Sequence, residues 1–345
     1  MIKEAETVAI TIGMHTLAHG LFLAPMAGVT DAPFRKACRA YGAEYTVTEM
    51  ISAKAVYYHD KKTAALAKIE PEEDPCAVQI FGSEPEIMAY AAKTLTEEGE
   101  KSGVSPAAID INMGCPVPKV AGNGEGSALL RDPVLAGKII EAVKAATPLP
   151  VTVKIRTGYT EKTKNVREMA HVAVESGADL LVVHGRTREM LYRPEVDLFS
   201  IGEAVAKVGG RIPVVGNGGI FTAQDAMKMR AETGCDGIMI ARGACTKPYL
   251  FEAVRAAMTG ETYTPPTVAE RMEAARRQIE QMAQMYGEYP AVLKSRKLLC
   301  WYSAGLRGAV ELRRHINEAN SLDDVRTVLE QLILKNPPCE SGSEN

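Results

Sequence analysis

The chain of 345 residues is 46% hydrophobic and 24% charged, the composition of an ordinary globular protein with material for a sizeable core. The formal net charge of −3 excludes polyanion binding through overall charge, so a nucleic acid would need a local basic patch. Seven cysteines without a CxxC pair exclude a zinc ribbon and a disulfide scaffold, and they indicate a reducing, cytoplasmic setting without a metal site. No apolar stretch reaches the roughly 18 residues of a membrane span, so we expect neither secretion nor a membrane contact.

Eight short apolar runs rich in β-branched residues recur along the chain, with helical patterns between them. They are residues 21–28, 45–50, 76–82, 107–114, 150–156, 180–186, 213–219 and 237–243. This alternation is typical of βαβ units around a parallel sheet, and eight strands close a barrel. We therefore predict an α/β fold, a (β/α)8 TIM barrel. A doubly wound open sheet is the alternative, but no GxGxxG motif follows the first run.

Several of the predicted strands end in polar side chains. Gln79, Lys154, His184 and Arg186 all stand near the ends of apolar runs. Turn formation explains terminal glycine and asparagine but not these four residues, and TIM-barrel active sites lie at the C-terminal ends of the strands. A lysine inside the run "VTVKI" is costly to bury without a partner. These residues are therefore candidates for function.

Glycines follow the seventh and eighth predicted strands, in "GNGGIFTAQDA" and "ARGACTKPYLF". In TIM barrels the loops after these two strands often bind a phosphate through backbone N–H groups. Gly216, Gly218, Gly219 and Gly243 would let the backbone approach the anion closely, and Arg242 would add a positive charge. We predict a phosphate site here.

Cys115 follows the fourth predicted strand in "DINMGCP", where three interpretations are open. A buried structural cysteine is the common fate of this residue type. A nucleophile would need a neighbouring base that the sequence does not place. A general acid would need to remain a thiol, which an ordinary pKa of about 8.5 allows near neutral pH. Its position before Pro116 favours a functional cysteine without choosing between the last two.

A Pro-rich linker, "ETYTPPTVAE", follows the eighth βα unit, and beyond it the pattern is purely helical. We predict a barrel domain over residues 1–260, a helical domain over 261–335 and a disordered tail over 336–345.

The helical region contains a basic and aromatic cluster. Residues 294–314 include six basic side chains and one acidic side chain, together with Trp301 and Tyr302. Such a cluster can bind a phosphate backbone and stack on bases. The alternative is a solvated helix face with Trp301 in the core of a helical bundle.

Taken as a set, nine motifs in residues 12–320 resemble the tRNA-dihydrouridine synthase family, and most closely its bacterial DusB-type branch. They are "LAPMAGVTDAPFR", "EMISA", "VQIFGS", "DINMGCP…KV", "GSALL", "VKIRTG", "VHGRTR", "NGGI" and "RKLLCWY…LR…IN". The resemblance implies a flavin-binding TIM barrel followed by a small helical bundle, with NAD(P)H as reductant and tRNA as substrate. It implies no obligatory protein partner.

The resemblance also implies roles for individual residues. The flavin, FMN, would be bound by Pro25, Met26, Ala27, Gln79, Lys154, His184, Asn217, Gly218, Gly219, Ala241 and Arg242. The tRNA would be bound by Asn112, Arg186, Lys294, Arg296, Lys297, Arg313 and Arg314. NADPH would reduce the FMN, a hydride would pass to C6 of a flipped-out uracil, and Cys115 would protonate C5.

Departures from the family pattern concern the details of these contacts. Pro118 stands where relatives often have a polar residue, Gly219 where many have aspartate, and Ala241 where glycine is common. The small residues still allow backbone donors to reach a phosphate.

Three other functions remain open at the level of the sequence. An FMN-dependent TIM barrel of the dihydroorotate-dehydrogenase type would reduce a free small molecule and would not need the basic helical region. An RNA-binding module that only assists tRNA folding would contain no flavin. An aldolase-like barrel would also lack flavin, and Lys154 would then be a Schiff-base candidate.

Overall fold

The computed structural model describes residues 9–337, apart from the side chains of residues 61, 62 and 64. Most of the predicted tail, residues 338–345, lies outside the described residues. The strands are β1 (Ile10–Ile12), β2 (His15–Leu17), β3 (Leu21–Leu23), β4 (Thr46–Val47), β5 (Ile51–Ser52), β6 (Cys76–Phe81), β7 (Ile109–Met113), β8 (Val151–Arg156), β9 (Leu180–His184), β10 (Val214–Asn217) and β11 (Gly237–Ile240).

The helices separate these strands and then continue beyond the last of them. They are α1 (Ala32–Ala40), α2 (Ala53–Tyr57), α3 (Lys61–Ala67), α4 (Pro85–Ser102), α5 (Pro118–Ala121), α6 (Pro133–Ala146), α7 (Val166–Glu175), α8 (Leu198–Val208), α9 (Ala223–Thr233), α10 (Arg242–Thr246), α11 (Leu250–Thr259), α12 (Val268–Tyr286), α13 (Glu288–Tyr302), α14 (Ala309–Glu318) and α15 (Leu322–Lys335). None of the helices between residues 9 and 337 is long and apolar enough to cross a membrane.

Eight of the strands form the predicted parallel barrel. The order around the barrel is β3, β11, β10, β9, β8, β7, β6 and β4. A parallel bridge between Phe22 and Tyr45 closes the circle, and the Leu23 N–H donates to the Tyr45 carbonyl at 2.8 Å. All eight predicted strands are present, so the (β/α)8 prediction is confirmed and the open sheet is excluded.

The second predicted strand, residues 45–50, differs from the expectation because a bulge interrupts it. Val47 pairs with Ala77 and Ile51 pairs with Ile80, so three residues of this strand face two residues of β6. The Thr48 hydroxyl accepts the Gln79 N–H at 3.1 Å within the bulge. A bulge re-aims the side chains that follow it, and Met50 lines the cavity described below.

An antiparallel hairpin of β1 and β2, which the sequence analysis missed, covers the N-terminal end of the barrel. A Cβ at Gly13, at its tip, would lie 2.9 Å from the Pro150 side chain, next to β8. A Cβ at Gly20 or Gly237 would lie 2.8 Å from the Ile10 side chain, on the opposite side of the barrel. The hairpin therefore crosses the whole N-terminal opening, and its buried side chains form one apolar cluster with the lower interior of the barrel.

The four C-terminal helices, α12 to α15, have an apolar cluster of their own. They contact the barrel through α1, which packs on α12, and through α10, which packs on α13. Tyr286 donates from its hydroxyl to Asp31 at 3.1 Å, and the Lys294 ammonium lies 3.5 Å from the same carboxylate. Trp301 is half-buried and packs against both the barrel core and the helical cluster.

A buried ion pair holds the loop after β3. The Arg35 guanidinium bonds the Glu73 carboxylate, with both side chains at most 2% exposed, and it also donates to the Thr30 carbonyl at 2.7 Å. The Thr30 hydroxyl in turn accepts the Met26 N–H at 2.9 Å. The ion pair thus fixes the backbone that carries Met26 to the C-terminal face of the barrel.

We expect Glu73→Gln to lower the free energy of unfolding by about 3–5 kcal/mol, because it leaves the buried Arg35 charge uncompensated. Urea denaturation followed by circular dichroism measures this change. Glu72→Gln is the matched control, since this neighbouring carboxylate is 70% exposed and its loss should leave stability nearly unchanged. Equal effects of the two substitutions would contradict the role of the buried pair.

Candidate functional site

A cavity of about 400 Å³ opens at the C-terminal ends of the barrel strands. It brings together fourteen of the site residues predicted within the barrel, which are Pro25, Met26, Ala27, Gln79, Asn112, Cys115, Lys154, His184, Arg186, Asn217, Gly218, Gly219, Ala241 and Arg242. The other two glycines predicted at the phosphate site, Gly216 and Gly243, are buried and do not line it, because Gly216 packs against the Met229 side chain and Gly243 against the Ile220 carbonyl. Residues that the sequence analysis did not name also line it, among them Met50, Arg156, Tyr192 and Phe221. The volume falls within the range of roughly 300–1,000 Å³ typical of small-molecule sites.

The five predicted RNA contacts of the helical region do not line this cavity. The Lys294 ammonium forms an ion pair with Asp31 and lies 4.5 Å from the centre of the Tyr286 ring. Lys297 lies 4.7 Å from the centre of the Trp301 ring.

The predicted arginines of this region differ in exposure. Arg296 donates to the Ala319 carbonyl at 3.4 Å and is partly buried. Arg313 and Arg314 are exposed on α14, where Arg314 contacts His315.

A chain of hydrogen bonds runs through the upper interior of the barrel. The buried Asp110 carboxylate accepts the Thr152 hydroxyl and the Gln79 amide N–H, the latter at 2.6 Å. The Gln79 carbonyl oxygen accepts the Asn112 amide N–H at 2.8 Å. The Asn112 oxygen then accepts the backbone N–H groups of Gly114 at 3.1 Å and of Cys115 at 2.9 Å. A buried carboxylate is thereby connected to the turn that carries the cysteine.

Burial raises the pKa of Asp110 to about 6, against the opposing effects of its hydrogen bonds to Thr152 and Gln79 and of the Lys154 charge. The sequence analysis missed Asp110 and Thr152. The sequence did contain a signal for Asp110, because it is a charged residue inside the apolar run of β7. It also points to the same side of the strand as Asn112, two residues later.

The turn at Cys115 is further fixed by the loop that follows it. The Ser127 N–H donates to the Cys115 carbonyl at 3.1 Å. Gly126 has a φ of +59°, which favours glycine, and a Cβ there would lie 2.9 Å from a Val120 methyl group and 3.1 Å from the Cys115 Cβ, so a larger residue would shift the turn. Burial raises the pKa of the Cys115 thiol, while a hydrogen bond from the Val117 backbone and the charge of Arg156 act in the opposite direction. Cys115 therefore remains a half-buried neutral thiol near neutral pH.

Lys154 is buried beside two further polar groups of the cavity. Its ammonium donates to the Asn217 side-chain oxygen at 3.0 Å, and the Asn217 amide donates to the Met239 carbonyl at 2.7 Å. Burial and the repulsion of Arg156 lower the pKa of Lys154 to about 7. The cavity thus holds a lysine that is poised to gain a proton when a negative charge enters.

His184 is held as a neutral imidazole. Burial, followed by the charges of Lys154 and Arg156, lowers its pKa well below the ordinary value. Arg186 contacts the His184 Nε2 at 2.9 Å. Because a guanidinium only donates, Nε2 is the acceptor and the ring proton is on Nδ1.

Two buried arginines fix the loop of residues 187–194 at the rim of the cavity. Arg156 donates to the carbonyls of Thr187 at 2.9 Å and Leu191 at 3.0 Å, and also to the Gly114 carbonyl at 2.8 Å. Arg186 donates to the carbonyls of Arg193 at 2.7 Å and Pro194 at 3.1 Å. Arg156 therefore joins the cysteine turn to this loop, a role that the sequence did not reveal.

The far end of the cavity offers unused hydrogen-bond donors. Gly218 and Gly219 have φ values of +119° and +70°, and their backbone N–H groups have no acceptor among residues 9–337. A Cβ at Gly218 would lie 2.8 Å from the His184 ring. The exposed Arg242 forms no ion pair in the described chain and lies over the rings of Tyr192 and Phe221. This arrangement is suited to an anion.

Comparison with known proteins shows extensive similarity to one family. The family model described as Dihydrouridine synthase (Dus) matches residues 22–337. The chain is 39% identical over 310 residues to tRNA-dihydrouridine synthase B of Pseudomonas putida, covering 90% of each protein. It is 37% identical over 337 residues to tRNA-dihydrouridine synthase B of Xanthomonas axonopodis pv. citri, covering 96% of this chain and 99% of the relative. A probable tRNA-dihydrouridine synthase of Rickettsia conorii is 38% identical over 316 residues, covering 90% of this chain and 92% of that protein. These similarities confirm the resemblance that the motifs indicated.

We expect Asp110→Leu to lower the free energy of unfolding by about 3 kcal/mol or more, because the Gln79 N–H and the Thr152 hydroxyl lose their buried acceptor. Asp110→Asn is the matched control. Its oxygen can still accept from Gln79, and its amide can donate to a reversed Thr152 hydroxyl, so its cost should stay near 1 kcal/mol. Urea denaturation measures both variants. An asparagine variant as unstable as the leucine variant would show that the hydrogen-bond chain is not the source of the stability.

We expect Lys154→Met to remove a pH dependence of stability. Because the folded-state pKa is about 7 and the unfolded value is near 10.4, the unfolded wild type binds more protons between these limits. Wild-type stability should therefore rise relative to the variant by about 1.4 kcal/mol for each pH unit above 7. Denaturation of the ligand-free proteins at several pH values measures this difference. Parallel curves for wild type and Lys154→Met would contradict the lowered pKa.

Proposed function

Because the chain belongs to the dihydrouridine synthase family, we propose that it reduces the C5=C6 bond of specific uridines in tRNA to give 5,6-dihydrouridine. The relatives named tRNA-dihydrouridine synthase B support this substrate. The structural observation that carries the proposal is Cys115, a neutral thiol fixed in a cavity whose far end offers unused donors to an anion. We assign catalysis to the barrel domain, residues 1–260, and tRNA binding to the helical domain, residues 261–335.

The residues at the far end of the cavity fit the phosphate of FMN. The free N–H groups of Gly218 and Gly219 and the Arg242 guanidinium would bind the phosphate, with Asn217 and Ala241 beside them. Pro25, Met26 and Ala27 would line the flavin ring. Gln79 retains one amide N–H and Lys154 retains two ammonium protons beyond the hydrogen bonds already described, so both can donate to the ring.

When bound and reduced by NADPH, FMN would supply the hydride that C6 of the uracil receives. Cys115 supplies the matching proton to C5. The raised pKa of its thiol keeps this proton in place at neutral pH, and the Asn112 oxygen fixes the turn by accepting the Cys115 N–H. We therefore assign Cys115 the role of general acid among the interpretations that its position in the sequence left open.

Asn112 and Lys154 stabilise the reacting base. The Asn112 amide has one N–H beyond its bond to Gln79, and it can donate this proton to a uracil carbonyl. The Lys154 ammonium can stabilise the negative charge that develops on the uracil carbonyl as the hydride arrives. Since the cavity lies within the mouth of the barrel, the target base must leave its stack to reach Cys115.

The helical domain supplies the surface for the rest of the tRNA. Lys294 and Lys297 are exposed on α13, and Arg313 and Arg314 are exposed on α14, while Arg296 is partly buried. NADPH would use the same cavity without a binding domain of its own. Reduction of a free small molecule by an FMN barrel is not favoured, because the match to the tRNA-modifying family continues through the helices to residue 337.

We expect Cys115→Ala to reduce the formation of dihydrouridine by about 10²–10⁴-fold, because it removes the general acid while leaving the cofactor contacts intact. The measurement is nucleoside mass spectrometry of unmodified tRNA after incubation with the protein and NADPH, with flavin absorbance as a check of cofactor content. Cys300→Ala is the matched control, since this half-buried cysteine lies on α13 outside the cavity. A Cys115→Ala variant with activity close to wild type would exclude the cysteine as the acid.

A further inference from the structure

Two arginines and a tyrosine form a cluster at the rim of the barrel that the proposed mechanism does not use. The Arg131 guanidinium lies 4.5 Å from the centre of the Tyr159 ring, and the Arg188 guanidinium lies 5.4 Å from it. Arg131 precedes α6, Tyr159 follows β8 and Arg188 follows β9, so all three belong to loops at the C-terminal face. We call these residues the rim cluster.

The positive charges of the rim cluster are not neutralised. Neither guanidinium lies within 4.0 Å of a carboxylate in the described part of the chain, and the buried Arg188 Nε has no hydrogen-bond partner there. The neighbouring acidic residues have other partners. Asp132 caps α6 by accepting the Leu135 N–H at 3.0 Å, and Glu161 pairs with Lys164 at 2.7 Å.

One further carboxylate, on Glu189, is exposed next to Arg188 and pairs with neither arginine of the cluster. Two unpaired guanidinium groups therefore share one aromatic ring at the surface. Such guanidinium groups have the donor geometry that binds phosphate.

The rim cluster lies across the cavity from the helical domain. In the circle of eight strands, β8 is four places from β3 and therefore diametrically opposite. The helical domain packs on α1 and α10, which follow β3 and β11, whereas Tyr159 follows β8. The mouth of the cavity thus lies between the helical domain and the rim cluster.

The loop of residues 187–194 connects the rim cluster to the cavity as one fixed surface. Four of its carbonyl groups are bound by Arg156 and Arg186, and Tyr192 lines the cavity. Leu191 has a φ of +50° and is 47% exposed at the tip of the loop. A leucine held in this strained conformation at the surface is typical of functional loops, because the surrounding contacts must maintain it.

We propose that the rim cluster binds backbone phosphates of the same RNA whose uridine enters the cavity, on the side opposite the helical domain. The inference rests on the proposed tRNA substrate and adds a second contact surface to it. With RNA held on both sides of the mouth, the phosphates that flank the target nucleotide are fixed while its base turns inward. The charge of the cluster and its distance from the helical domain both favour this occupant.

The test is the affinity of unmodified tRNA for the flavin-loaded protein over a series of KCl concentrations. The double variant Arg131→Gln/Arg188→Gln is expected to bind on the order of tenfold more weakly, and the slope of log Kd against log salt should fall by roughly 1 for each lost phosphate contact. Arg211→Gln is the matched control, since this exposed arginine precedes β10 at the other end of the barrel and should leave both values unchanged.

The variant Arg131→Lys/Arg188→Lys separates charge from structure, because it keeps the positive charges and should restore most of the salt slope. If the double glutamine variant does not retain its flavin, the single Arg131→Gln variant is measured instead, with an expected loss of roughly 1 in slope. If the glutamine variants bind tRNA with the affinity and the salt slope of the wild type, the proposed role of the rim cluster is overturned. Formation of dihydrouridine by the wild type would then still support the proposed function. A wild-type protein that neither binds nor modifies tRNA would overturn the proposed function together with it.

Discussion

The interior of the barrel is the constraint on which the site depends, because a polar side chain placed there must find its partner within the protein. The lower interior is apolar, and the hairpin of β1 and β2 completes it. The upper interior is polar and contains a buried carboxylate, Asp110. Its two acceptor oxygens determine which way the Gln79 amide points, and Gln79 in turn determines the orientation of Asn112.

This chain of hydrogen bonds extends from the core to Cys115. The Asn112 oxygen accepts the Cys115 N–H. The position of the thiol therefore depends on a chain of hydrogen bonds that joins three neighbouring strands, β8, β7 and β6. Arg156 holds the same turn from the other side through the Gly114 carbonyl. Under the proposed function, a site that must deliver one proton to one carbon atom is preorganised in part by Asp110 and Thr152, which do not line the cavity.

The sequence predicted the eight strands because each is a short apolar run with a turn signal at its end. Strand ends that meet at one face indicated Gln79, Lys154, His184 and Arg186, whereas only the family motifs indicated residues 25–27 and Asn112. The sequence analysis missed the hairpin at residues 10–17 because its two strands have only three residues each. The sequence analysis missed the hydrogen-bond partners of Asp110, Arg156 and Arg35 for another reason. Their hydrogen bonds join residues 31 to 42 positions apart, and only the register of neighbouring strands and loops brings such residues together.

The packed lower interior of the barrel, which the hairpin completes, bears on the order in which partners could use the cavity. Apolar side chains of the strands and of the hairpin fill the lower interior of the barrel, so the cavity described above opens at the C-terminal face. Under the proposed function, a nicotinamide and a uracil would both need the flavin face in this cavity and could not occupy it together. The two half-reactions would then alternate in a ping-pong order, with the oxidised nicotinamide leaving before the RNA base enters.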